Sequence, residues 1–403
     1  MNRRPVFVAA VGDPWSPVTW SGTPFHLLQA GLERGLFRDG LHLVPGRPTL
    51  RAGRWLWNAW RRLGDRSGGY QYSIPFLEAL WRPVRGRLPG AAVVNCFQLY
   101  PPSLVGEPDV ERWYFVDQTL RQLFDHYGQR STVGARIADE AEAREGEGYR
   151  SAAGVVVHSR WAARSVVEDH RVEPGKVHVV VPGANLDPWL LGHRDAEEAR
   201  RRDPDPAGAM LPGRLRLVFV GKEWERKGLD RLLEALALAR GAGHEVTLRV
   251  IGCPRSAVPR HLQGTGGVEW AGFVSKRTET PRFLRLVGEA DLGCLLSRAE
   301  AGGIGQREYL ALGLGVLGTT AGGASEHVWP EASELVPVEA DPPAIAELLA
   351  ALAGDPTRVR RLRAAAWRRR HEATWPFAVA ALARCMGRGA ARPASSEPGP
   401  CAA

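Results

Sequence analysis

The sequence has little of what would place it in a specialised class. Cysteine is scarce: Cys96, Cys253, Cys294, Cys385 and Cys401 are odd in number, scattered, and never spaced as C-x-x-C. That pattern gives neither a disulfide framework nor a zinc site and fits small core residues in a reducing compartment. No apolar run reaches the roughly 18 residues of a membrane-spanning helix. The first apolar stretch, Val6 to Val11, is too short for a secretion signal and has no cleavage pattern behind it. A cytoplasmic location is the expectation. No zinc-finger spacing and no RNA-binding aromatic signature accompanies the net charge of +9, so a nucleic-acid role is not expected. Arginine far outnumbers lysine while alanine and glycine abound, a bias that GC-rich coding produces unaided. No internal repeat is visible.

What is there is an alternation. Strand-like apolar runs and helix-like amphipathic runs follow one another along most of the 403 residues, which predicts an α/β protein with parallel sheets. The expected strands are Val6–Val11, Leu41–Val44, Ala91–Phe97, Trp113–Val116, Gly154–His158 and Val177–Val181 in the first half. In the second half they are Leu215–Val220, Glu245–Ile251, Val268–Trp270, Leu292–Leu296, Val316–Gly318 and Ser333–Val336. Between the halves lies a stretch rich in Asp, Arg, Pro and Gly. The length suits two domains of ordinary size. The expected division is 1–190, a linker over 191–213, a second domain over 214–374, a C-terminal helix over 375–386 and a disordered tail over 387–403. Two doubly wound, Rossmann-like domains would face each other across a cleft, with ligands at the carboxyl ends of the strands.

The segment Ala299-Glu300-Ala301-Gly302-Gly303-Ile304-Gly305-Gln306-Arg307-Glu308 is the most informative in the chain. Its glycines let backbone N–H groups approach a ligand closely. The helix expected to start here, with Glu300 on the loop before it, Glu308 in its first turns and the small-residue run Tyr309 to Leu314 after them, points its positive end at the same place, which suits phosphate. Upstream, Arg226 and Lys227 stand just before Gly228 and a helix, where an arginine fork and a lysine point charge can hold phosphate. Lys222 directly follows the strand glycine Gly221. An ordinary surface turn would show the same letters.

Taken together these motifs resemble the donor-binding half of retaining GT-B glycosyltransferases of the group 1, family 4-like, E-x7-E type. The matching segments are Phe219 to Asp230, Leu248 to Gly252, Val268 to Val274, Glu300 to Glu308, and Gly318 to Glu326, in that order. The resemblance implies a GT-B fold whose C-terminal domain binds a nucleotide-sugar and whose N-terminal domain binds the acceptor. It also implies that the last helix crosses back onto the first domain, with Pro376 marking its start. It implies that Glu308 bonds the nucleotide's ribose and that Glu300 contacts the donor sugar near an oxocarbenium-like transition state. The N–H groups of Gly303 and Ile304 would face sugar or phosphate, and Phe273 and Val274 would neighbour the base. Core packing is the other reading of Phe273.

In the first half, Gly22 and Thr23 resemble the family's glycine loop over the donor phosphate, ahead of a helix expected over Pro24 to Arg34. Where the family often places a sugar-facing histidine, this chain has Asp117. That aspartate could bond a sugar hydroxyl or simply cap a helix. His158 and Asn185 match strand-end positions, His158 as a cleft-wall residue. The resemblance implies transfer with no metal and no cofactor, and the one D-x-D pattern, Asp203-Pro204-Asp205, falls in the linker rather than at a strand end, which disfavours a metal-dependent GT-A enzyme. A glycosidase would also use two carboxylates, but it has no need of a basic phosphate cradle.

The expected activity is transfer of a sugar, with retention and without a metal, to a glycan, lipid-linked or small-molecule acceptor such as a cell-envelope or exopolysaccharide precursor. The alternative is a noncatalytic nucleotide-sugar-binding scaffold of the same fold. Arg51 to Leu88 interleaves Arg51, Arg54, Trp55, Trp57, Trp60, Arg61 and Arg62 with a second group around Trp81. Such mixtures suit peripheral contact with an anionic membrane. A packed helix with a solvated basic face is the other reading.

Overall fold

The computed structural model describes residues 4–45, 47–62, 69–192 and 214–388. Most of the expected linker, Asp203 and Asp205 included, and the expected tail beyond Arg388 lie outside the described residues. Two six-stranded, all-parallel sheets form the architecture. The first holds β1 (Val6–Val11), β2 (Asp39–Leu43), β3 (Ala92–Asn95), β4 (Glu111–Val116), β5 (Gly154–Val157) and β6 (Val177–Val179) in the order β2-β1-β3-β4-β5-β6. The second holds β7 (Arg214–Val220), β8 (Glu245–Ile251), β9 (Val268–Gly272), β10 (Leu292–Leu295), β11 (Gly315–Thr319) and β12 (Ser333–Val336), ordered β12-β11-β10-β7-β8-β9. Their Val-, Leu- and Ile-rich sequences are those of strands covered on both faces. The central ones are buried throughout: β3, β5, β10 and β11 expose no residue.

In the second sheet the strand order reverses between β7 and β10. Crevices of this kind open at the carboxyl ends of the two strands flanking a reversal, and the loops after β7 and β10 carry the basic pair and the E-x7-E segment. Gly228 presses these loops together. It has φ of +70°, and a Cβ there would fall 1.9 Å from the carbonyl oxygen of Leu296, so only glycine fits. Arg298 completes the clamp. Its N–H donates to Arg226 O at 2.8 Å, and its guanidinium pairs with both oxygens of Asp230 at 2.8 and 2.7 Å.

Helix Trp375–Cys385, with Pro376 in its first turn, leaves the second domain and packs on helix Thr23–Glu33. Trp375, Val379 and Leu382 join Val6, Val8, Leu27 and Leu28 in one apolar cluster beneath the first sheet. Cys253 and Cys294 are core residues, each fully buried. Among the described residues no helix is long and apolar enough to cross a membrane.

Candidate donor and acceptor cleft

The E-x7-E segment is built from its glycines outward. Helix Ile304–Ala311 begins at the Gly302-Gly303 turn, with Glu308 in its second turn, and stops at Leu312, short of the expected Leu314, because Gly313 turns the chain into β11. The N–H of Ile304 donates to Gly302 O at 2.9 Å, so it closes the turn rather than facing a ligand. The N–H groups of Gly303, Gly305 and Gln306 have no hydrogen-bond partner among the described residues and form the open positive end of the helix. Lys227 reaches this end, with Nζ 3.9 Å from where a Cβ on Gly305 would stand. It has no ion-pair partner among the described residues.

Arg226 faces Glu300. One of its guanidinium nitrogens donates to Glu300 Oε2 at 3.1 Å and to the Ala299 carbonyl at 2.8 Å, and Nε donates to Glu223 at 2.8 Å. Ser297 Oγ also approaches Glu300 Oε2, at 3.4 Å. Glu308 is buried and ion-paired with Lys276. That lysine was missed in the motif reading, as it sits in an unremarkable loop after β9. A compositional signal was nonetheless available. Lys176, Lys222, Lys227 and Lys276 are the chain's lysines, and all but Lys176 stand in this region. Lys222 lies over the ring of Phe273 at 4.9 Å, and that ring is 63% exposed at the rim while Val274 is buried.

The first domain closes the cleft from the other side. Asp117 follows β4 at its carboxyl end, and desolvation, reinforced by the facing Glu300 carboxylate, pushes its pKa up to about 7. Thr119, rather than Asp117, caps the next helix, in a capping box with Gln122. Helix Leu120–His126 then brings His126 and Tyr127 onto the Glu300 loop. Glu300 N–H donates to His126 Nε2 at 3.1 Å, and Ala301 N–H donates to Tyr127 Oη at 2.9 Å. Burial lowers the His126 pKa, opposed by Glu300.

Gly22, with φ of +95°, starts helix Thr23–Glu33, one residue ahead of the expected start. Trp20 and Ser21 before it have φ of 42° and 55°, a strained path for residues with a Cβ. Asn185 Nδ2 holds that path by donating to Ser21 O at 2.9 Å and to Thr23 Oγ1 at 3.1 Å. His158 is a packed wall residue. Trp20 stacks on it and Phe115 lies against it, and burial lowers its pKa to about 3. His158 O meets His327 Nε2 of the second domain at 3.1 Å. Glu326, also from the second domain, accepts the N–H groups of Arg160 and Trp161 at 2.6 and 2.9 Å, a carboxylate on the positive end of helix Arg160–Glu168. The structure therefore brings Asp117 of the first domain to face Glu300 and its partner Arg226 in the second, and pairs Lys276 with Glu308. Lys227 reaches toward the helix start, and Gly22 and Thr23 join across Asn185.

Of the basic aromatic stretch, side chains are described from Ala52 to Ala59 and again from Gly69. The side chains of Arg51, Trp60, Arg61 and Arg62 lie outside that description. Helix Arg47–Arg62 turns Trp57 toward Tyr70, ring centroids 6.0 Å apart, and leaves Trp55 and Leu56 mostly exposed.

Residues 214–355 match the family model described as glycosyl transferases group 1. D-inositol 3-phosphate glycosyltransferase of Jonesia denitrificans is 29% identical over 253 residues, covering 60% of this chain and 57% of that protein. The protein of the same name from Thermomonospora curvata is 30% identical over 240 residues, 56% of this chain and 54% of its own length. The match thus spans little more than half the length of these relatives. Among solved structures, sucrose-phosphate synthase from Thermosynechococcus elongatus superposes with a TM-score of 0.66 at 16% identity, covering 96% of this chain and 99% of that one. HepE of Anabaena, solved in complex with UDP, gives 0.61 at 15% identity over 95% and 99%. WaaG, a glycosyltransferase involved in lipopolysaccharide biosynthesis, gives 0.56 at 17% identity over 91% and 95%. The fold is GT-B.

Proposed function

We propose that this chain is a group 1 glycosyltransferase that moves a sugar from a nucleotide-sugar to an acceptor, with retention at the anomeric carbon and without a metal ion. The observation that carries the reading is Lys227. Among the described residues this cation has no ion-pair partner, and its Nζ reaches the open start of the helix that carries Glu308. A departing nucleoside diphosphate develops negative charge on its phosphate oxygens, and pre-placed cations and helix N–H groups stabilise that charge without reorganising. Arg226 and Lys276 stand nearby, each held in an ion pair with a motif glutamate that an arriving diphosphate would have to share.

Glu308 is the candidate ribose acceptor. Its pairing with Lys276 puts a cation where the nucleotide's phosphates and the carboxylate can share it. Glu300, fixed by Arg226, is the candidate partner of the donor sugar. Asp117, with a pKa of about 7, can donate or accept a hydrogen bond to a sugar hydroxyl near neutrality. That versatility is a reason for an aspartate to replace an imidazole there. Phe273 and Val274 are the candidate walls for the base, and Gly22 and Thr23 the candidate loop over the phosphate.

The UDP bound to HepE makes UDP-sugars the first donors to test, and the relatives' name makes D-inositol 3-phosphate the first acceptor. The test is incubation with UDP-, GDP- and ADP-sugars, with and without that acceptor and with and without EDTA. The product's anomeric configuration is then read by NMR. Nucleotide release that depends on an acceptor, persists in EDTA and leaves the configuration retained supports the reading. Nucleotide binding without turnover on any acceptor favours a noncatalytic scaffold.

Helix Arg47–Arg62 adds a second surface. Its sequence is rich in arginine and contains no acidic residue, and it presents Trp55 and Leu56, 69% and 61% exposed. We propose that it rests on anionic membrane, which would suit a lipid-linked acceptor. Co-sedimentation with phosphatidylglycerol vesicles but not phosphatidylcholine vesicles, lost in Trp55→Ala/Leu56→Ala, is the expected result.

A further inference from the structure

Arg307 stands next to Glu308 on the candidate nucleotide helix but turns away from the cleft. It is 4% exposed, and no carboxylate among the described residues pairs with it. Three backbone carbonyls satisfy it instead. Nε donates to Pro182 O at 3.1 Å, and one terminal nitrogen donates to His327 O at 3.5 Å. The other terminal nitrogen donates to Glu372 O. Its cation also lies over the ring of Trp329 at 5.4 Å. Burial, opposed only in part by the Glu372 carboxylate, lowers its pKa to about 10.

The identity of two of those carbonyls matters. Pro182 belongs to the segment after β6, where the chain leaves the first domain. Glu372 belongs to the segment before helix Trp375–Cys385, where the chain returns. The two crossings are packed on each other. Ala184 N–H donates to Ala373 O at 2.7 Å, and a Cβ on Gly183 would fall 2.2 Å from Trp375 N. Trp375 Nε1 donates to Asn185 Oδ1 at 3.0 Å. The other end of Asn185 holds the strained Ser21 to Thr23 path. A continuous set of hydrogen bonds therefore runs from that loop, through both crossings, to Arg307, and Glu308 is its neighbour in the chain.

We infer that Arg307 is a positioning residue that ties the nucleotide-binding helix to both interdomain crossings and so fixes the register of the two domains in which transfer takes place. The inference rests on the proposed transferase reading for its catalytic consequence, but not for its structural one. A lysine keeps the charge yet cannot present three directed donors, and a methionine keeps the length with neither charge nor donors. The lysine's single ammonium cannot span the carbonyls of Pro182 and Glu372 as the fork does, the methionine reaches neither, and both changes spare Glu308, Lys276 and Lys227.

The test compares full-length wild type with Arg307→Lys and Arg307→Met. Amide hydrogen exchange is followed over residues 180–187 and 370–376, alongside UDP, GDP and ADP affinity and steady-state transfer. Exchange should quicken at both crossings in both variants and stay unchanged in β7 to β9. Nucleotide affinity should stay within about threefold, while kcat falls between about tenfold and a hundredfold, the range expected for a small misplacement of reacting groups. Unchanged exchange at the crossings overturns the inference, as does a loss of nucleotide affinity that raises KM and leaves kcat unchanged. If Arg307→Met does not fold, Arg307→Lys decides. If wild type neither binds a nucleotide nor turns over, the transferase reading fails and the exchange comparison alone judges the hinge.

Discussion

At the scale of single residues, the cleft is a set of charges whose partners decide their roles. Lys227 has no ion-pair partner among the described residues and stands beside unfilled N–H groups, so removing it costs the folded protein little and a bound diphosphate much. Lys227→Ala should weaken nucleotide binding by about 2 kcal/mol, the scale of one charge-assisted contact, with thermal stability almost unchanged. An equal loss of both would make Lys227 a structural residue.

Asp117 offers a pH test. Its native pKa of about 7 lies above the ordinary 3.8, so the native state holds the proton more tightly than the unfolded chain. Its contribution to stability is complete below the ordinary value and is lost as pH rises through about 7. Asp117→Asn removes that loss. The variant should gain on wild type between these values by up to about 1.4 kcal/mol per pH unit, as read by denaturant unfolding at a series of pH values. Parallel curves would show an ordinary aspartate.

These two residues also mark what a sequence can show. Lys227 was legible because a basic pair, a glycine and a helix start are neighbours in the chain. The ion pair of Lys276 with Glu308 was not, because it joins loops far apart in sequence and only the fold sets that distance. The ring of His126 is hidden from motif reading for the same reason: its target is a backbone N–H in the other domain.

At the scale of elements, period and punctuation went far. Every expected strand is present, with ends shifted by a residue or two, because apolar runs bounded by Gly, Pro and Asp leave few alternatives. The start of helix Ile304–Ala311 at the glycine turn was legible, whereas the small-residue run to Leu314 is not helical to its end, because Gly313 takes a positive φ and turns the chain into β11. The junction of β7 and β10 makes a sharper prediction. Gly228→Ala puts a methyl group into Leu296 O and forces a side chain onto positive φ, which should cost about 2 kcal/mol or more. Chemical denaturation that shows a loss under about 0.5 kcal/mol would mean that the two loops are not pressed together.

At the scale of the whole molecule, the two domains touch through groups that titrate. His158 and His327 meet across the cleft, His26 lies in the first helix, and burial holds all three below the ordinary histidine value of 6.5. His26 falls to about 4 and His158 to about 3. The unfolded chain takes up protons that the native chain refuses, so stability should fall as pH drops below 6.5, opposite in sign to the Asp117 effect. His158→Phe, which keeps the contacts with Trp20 and Phe115, should flatten the acid limb by up to about 1.4 kcal/mol per pH unit. An unaltered limb would place the acid sensitivity elsewhere. What the sequence could not convey at this scale is Arg307. Its motif neighbours mark a ligand helix, and nothing in their spacing says that its guanidinium holds both crossings.

Calorimetry with UDP, GDP and ADP on wild type, Lys227→Ala and Glu308→Ala tests the central claim most directly. The account predicts that wild type binds one of the three selectively and that both variants, still folded, lose most of that affinity. Folded wild-type protein that binds none of them, or variants that bind as tightly as wild type, would contradict it.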